Sequence, residues 1–107
     1  MANSYGHGWE LLYKGTRMLA THPSSIKERL IWAFSYELHL LSQEELDPET
    51  WERFSRVFQE VTSEPDTTGA GTIPASINKM SDNRASEIAG EIFDIFDDHS
   101  KTYRGTS

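Results

Sequence analysis

The stretch that most constrains this chain runs from Ile26 to Leu41. Ten of its sixteen residues are apolar: Ile26, Leu30, Ile31, Trp32, Ala33, Phe34, Tyr36, Leu38, Leu40 and Leu41. At 100° per residue they cover almost the whole circumference of a helix, leaving a narrow polar strip around Glu28, Ser35 and His39. A helix of that kind needs neighbours on several sides, which places it at the centre of a bundle.

The neighbours follow from the same periodicity. No stretch alternates apolar and polar residues over a useful length, whereas three further segments repeat apolar residues at i, i+3, i+4 and i+7. The first helix is expected from Gly8 to Ala20, with Trp9, Leu12, Tyr13, Thr16, Leu19 and Ala20 on one face. His22-Pro23 ends it, because the residue before a proline is pushed out of the helical region. Ser25 with Glu28 three residues later is a capping box, and it opens a second helix that runs to Leu41 or Ser42. Asp47-Pro48 supplies a cap and a first-turn proline for a third helix through Thr62. That helix has Glu49 near its positive end and Trp51, Phe54, Val57, Phe58 and Val61 facing inward.

Residues 63–72 concentrate turn formers and make the longest, most mobile loop. Thr72 is placed to cap a short helix, Ile73 to Met80. Ser81 or Asp82 then caps a fourth main helix from Asn83 to His99, with Ala85, Ile88, Ala89, Ile92, Phe93, Ile95 and Phe96 on its apolar side. Residues 1–7 and 100–107 are expected to fray. The chain thus reads as one all-α domain over residues 1–107, a compact bundle of four main helices plus one short helix with the second helix central. Its expected core is Trp9, Leu12, Leu30, Phe34, Leu38, Trp51, Phe54, Phe58, Ile88, Ile92 and Phe96.

Charge and composition narrow the function. At 107 residues the chain can bury a core without a covalent or metal staple, and with no cysteine it has no disulfide framework, thiol chemistry or zinc ribbon. The formal charge of -7 is unevenly placed. Residues 1–40 carry four basic and three acidic groups (+1), residues 41–66 two and eight (-6), and residues 67–107 four and six (-2). The acidic middle repels phosphate backbones and anionic lipid, so neither direct nucleic-acid nor membrane binding is expected. The short helix, the turn and the fourth helix have the outline of a helix-turn-helix, but Glu87, Glu91, Asp94, Asp97 and Asp98 on the exposed side would be rejected by a major groove. A basic protein partner is the electrostatic complement of the acidic stretch; the plainer alternative is that these residues keep a small domain soluble. The amino end has no basic stretch followed by an apolar run, and the expected location is cytoplasmic.

Residues left outside the apolar arcs give the candidate sites. Leu11 and Met18, one heptad apart with Gly15 between them, lie off the main face of the first helix. They suit a partner or homodimer interface, or equally burial under the carboxy-terminal tail. Glu44, Glu45, Glu49 and Glu52 form the acidic part of the same partner-binding expectation. Glu37 falls inside the apolar arc of the second helix and is the one weak catalytic candidate; as a structural group it would pair with Lys14, Arg17 or a histidine. The histidines His7, His22, His39 and His99 lack the spacing of a metal site, and neither metal nor cofactor is expected. Gly69-Ala70-Gly71-Thr72 lacks the lysine and preceding strand of a phosphate loop. The reading is a non-enzymatic protein-interaction module, an adaptor or regulator. The alternatives are an acidic decoy that occupies the nucleic-acid-binding site of a basic protein, and a small enzyme using Glu37.

Overall fold

A computed structural model describes residues 4–105. Five helices follow one another: α1 Tyr5–Thr21, α2 Ile26–Tyr36, α3 Pro48–Val61, α4 Thr72–Lys79 and α5 Asp82–Gly105. Two 3-10 turns, Leu38–Leu40 and Gln43–Glu45, join α2 to α3, and the described residues contain no strand. The all-α bundle expected from periodicity is the fold.

Helix starts obey the caps legible in the sequence. The Ser25 hydroxyl accepts the Glu28 backbone N–H at 3.2 Å while the Glu28 carboxylate accepts the Ser25 N–H at 3.4 Å, so two otherwise orphaned donors are satisfied reciprocally. Asp47 accepts the Thr50 N–H at 3.3 Å, with Pro48 in the first turn of α3. Ser81 caps α5 through the Arg84 N–H at 3.0 Å. For α4 the expected cap moves by one residue: Gly71, at φ 110°, precedes the helix and Thr72 is its first residue.

The end of α2 departs from expectation. The helix stops at Tyr36, and Glu37 leaves helical geometry at φ -129°. Leu38 and Leu41, at i+4 and i+7 from buried Phe34, would share its face in a continued helix, and both are buried beyond the break as well. Leu38 lies directly against Gly15 of α1, where a Cβ would come 2.7 Å from a Leu38 methyl. The Phe34 carbonyl loses its helical donor at the break, and the His39 ring takes that place, its Nδ1–H donating at 2.8 Å.

α2 packs on α1, α4 and α5, the central place expected of it, and α5 likewise packs on α1, α2 and α3. Of the expected core, Leu12, Leu30, Phe34, Leu38, Phe54, Ile88 and Ile92 are buried. Trp51, Phe58 and Phe96 lie half-buried against them, and Trp9 is half-buried as well. Leu11, Leu19, Leu41, Leu46, Val57, Val61, Ile77 and Ile95 complete the interior.

α1 and α5 run antiparallel. Tyr5 meets His99, Trp9 meets Phe96, and the Trp9 indole N–H donates to the Ser100 hydroxyl at 2.9 Å. Those contacts extend α5 through Ser100 to Gly105, where fraying was expected; α1 similarly begins at Tyr5. The rest of the expected frayed ends, residues 1–3 and 106–107, lies outside the described residues.

Candidate interaction surface

The acidic segment sorts into committed and uncommitted carboxylates. Glu45 is buried, at 6% exposure: it accepts the Ser42 N–H at 2.8 Å and the Nδ1–H of His7. Asp47 caps α3, Glu64 pairs with Lys79 at 3.2 Å, and Asp66 accepts the N–H groups of Thr68 and Gly69 in its own turn. Those turn hydrogen bonds, first that from Thr68, lower the Asp66 pKa. Glu60 receives a forked pair of bonds from Arg84, at 2.8 and 2.6 Å, which holds its carboxyl below the usual range. Five of the eight acids in residues 41–66 are therefore tied to this fold. The other three, Glu44, Glu49 and Glu52, are exposed and make no ion pair or hydrogen bond among the described residues. Glu45 thus leaves the set expected at a partner surface, because its carboxylate holds the amino-terminal turn of α1.

Beside Glu52 lies an apolar groove of about 310 Å³, lined by His39 and Leu41 on one wall and by Trp51, Phe54, Ser55, Phe58 and Gln59 of α3 on the other. Its aromatic rings are set by the core: Phe34 stacks on Phe54 at 6.3 Å, Phe54 on Phe58 at 5.9 Å, and Trp51 tilts on Phe54 at 5.8 Å. His39 and Leu41, which form one wall of the groove, both belong to the segment after the end of α2. The face of α3 that lines it was legible as an apolar arc, but reading that arc as wholly inward missed its outer edge.

Leu11, Gly15 and Met18 are not brought to that surface. Leu11 is 4% exposed, Gly15 is covered by Leu38, and Met18 is half-buried against the core. Leu11 and Gly15 are thus internal, whereas Met18 lines a shallow surface groove with Lys14, Arg17, Thr21 and His22. The close approach that Gly15 permits is real, and the group that uses it is Leu38 of the same chain. Glu37, half-buried at the end of α2, lies outside the helical wheel that placed it in an apolar arc, and it lines none of the grooves described here.

Other apolar groups do reach the surface. Trp32 is 41% and Tyr36 61% exposed, one turn apart on α2, with the His22 ring edge-on to Trp32 at 4.1 Å. Phe93, expected on the inward side of α5, is 54% exposed. A polar groove of about 290 Å³ between α3 and α5 holds Arg53, Arg56, Glu60, Arg84 and Glu91, with Arg53 paired to Asp98 and Arg84 to Glu60, Glu87 and Glu91. Among the described residues no three His, Asp or Glu side chains group as metal ligands, and no helix is long and apolar enough to cross a membrane. His99 is fully buried, with Nε2–H donating to the Tyr5 carbonyl at 2.9 Å. Comparison with family models, curated proteins and solved structures finds no match to this chain.

Proposed function

We propose that this protein is a small non-enzymatic interaction module, an adaptor or regulator, that binds a basic protein partner through the start of α3. The observation that carries the reading is an open apolar groove with Glu52 at its edge, a carboxylate unpaired among the described residues, and two further unpaired acids, Glu44 and Glu49, around the start of α3. Apolar contact supplies affinity and the uncompensated charge supplies selectivity and a fast encounter. The decoy alternative has less support, since three uncommitted acids are sparse beside the one charge per ~1.7 Å of duplex DNA that such a mimic imitates. An enzymatic role for Glu37 has less support, since it lines neither the apolar groove on α3 nor the polar groove between α3 and α5.

Affinity capture from native lysate tests this reading. Immobilised wild-type protein is expected to retain a basic protein at about 0.1 M salt and release it at about 1 M, where the Debye length falls from ~10 to ~3 Å. The Glu44→Gln/Glu49→Gln/Glu52→Gln variant is expected to retain several-fold less. Equal retention by both forms, or none by either, would overturn it.

A further inference from the structure

We propose that the groove on α3 is a socket for one apolar side chain of a cationic amphipathic helix, laid alongside α3 with its basic flank toward Glu52; this rests on the interaction-module reading and specifies the partner's form. Trp51, Phe54, Ser55 and Phe58 stand at i, i+3, i+4 and i+7, and all four line the groove. Those are the four positions that form the hole for an incoming knob when one helix packs on another. In this hole three corners are aromatic and the fourth, Ser55, is small, so the space above it is empty. Along the same edge Trp51, Ser55, Phe58 and Thr62 repeat at spacings of four, three and four, alternating large and small residues over three turns. A helix carrying apolar anchors at i, i+3 or i+4, and i+7 matches that spacing.

The flanks set the charge. Glu52 and Gln59, seven residues apart, border the socket on one side, and Glu52 has no partner among the described residues. Arg56, one turn after Glu52, lines the polar groove between α3 and α5 and makes no ion pair with Glu52 within 4 Å. Glu44 and Glu49 continue the negative charge around the start of α3. Lys or Arg on the partner helix would meet this edge, and acidic residues there would be repelled. A strand has no sheet edge to join among the described residues. A small-molecule substrate fits less well. The groove is at the foot of the ~300–1,000 Å³ range of such sites and carries few convergent polar groups.

The test uses the full chain and two synthetic helical peptides, one with Leu at heptad a and d positions and Lys elsewhere, the other with Glu in place of every Lys. Calorimetric titration is expected to show binding of the lysine peptide and at least tenfold weaker binding of the glutamate peptide. Ser55→Arg, which fills the socket with a like-charged group while leaving the three aromatics in place, is expected to weaken the lysine peptide at least tenfold. Glu52→Gln is expected to weaken it about two- to fivefold, as for one exposed charge pair. Circular dichroism on each variant checks that the helices are retained; should Ser55→Arg fail to fold, Ser55→Gln serves the same purpose without the charge. Equal binding of both peptides, or a lysine peptide indifferent to the filled socket, would overturn the proposal. A lysate partner that depends on the three glutamates but is unaffected by Ser55→Arg would overturn the socket alone and leave the module reading standing. Loss of the lysate partner from wild type would instead overturn the module.

Discussion

Gly8 and Gly90 are both glycines inside helices, and the chain treats them oppositely. A Cβ on Gly8 would lie 2.3 Å from the Glu45 carbonyl oxygen, a backbone atom that cannot swing aside. The absent side chain there lets α1 close onto the Gln43–Glu45 turn, where His7 then reaches Glu45. A Cβ on Gly90 would meet nothing within 4 Å. Gly8→Ala is therefore expected to destabilise by about 1–3 kcal/mol or more through overpacking. Gly90→Ala should stabilise by about 0.5–1 kcal/mol by removing backbone freedom from the unfolded chain. Chemical denaturation of the two variants checks both signs, and a stabilised Gly8→Ala would mean that α1 does not sit on that turn. Neither role could be read from the residue type. Gly15 carried a partial signal, since a glycine beside Leu11 and Met18 does mark a close approach, but only the fold supplies Leu38 as the group that approaches.

Helix starts were legible because capping chemistry is local: Ser25 with Glu28, and Asp47 with Pro48, need nothing beyond four consecutive residues. The end of α2 was not: Leu38 and Leu41 keep helical spacing from Phe34, so no local signal marks the break, and the Gly15 face that Leu38 meets lies on another helix. The same non-local rule governs the tie between α3 and α5. Arg84 grips Glu60 and also reaches Glu87 at 3.1 Å and Glu91 at 3.4 Å. These bonds raise the Arg84 pKa, chiefly through Glu60, so the cation stays charged throughout. Glu60 has a folded pKa below its ordinary value of about 4.3. Its contribution is thus fully present above that value and is lost as pH falls through the lower folded one. Both side chains are more than a third exposed, at 37% and 36%, and solvent screening holds the contribution to ~0.2–1 kcal/mol. Glu60→Gln should be less stable than wild type by that amount near neutrality, and the gap should close as the carboxylate protonates in acid. Urea titrations across that range check this; a gap that widened in acid would contradict the assigned direction.

Across the whole molecule, the net charge of -7 conceals a division of labour. Most carboxylates of the acidic middle stretch hold the fold together, while Glu52 is left at the edge of an apolar groove and Glu44 and Glu49 remain unpaired around the start of α3. The acidic location was legible by counting charges along the chain. Which acids remained uncommitted was not, since it required knowing that His7 reaches Glu45 and Arg84 reaches Glu60 across 38 and 24 residues of sequence. Besides the α3 groove, Tyr13, Trp32, Tyr36, Leu40, Phe93 and Tyr103 are exposed large apolar side chains among the described residues, and the groove is the apolar area with Glu52 at its edge. The account therefore turns on which of these areas a basic partner covers. Amide chemical-shift mapping of the full chain during titration with the lysine–leucine helical peptide measures this directly. The account predicts perturbations concentrated at residues 39–41 and 51–59, with the Trp32–Tyr36 and Phe93 areas little changed; perturbations confined to either of those two areas would contradict it.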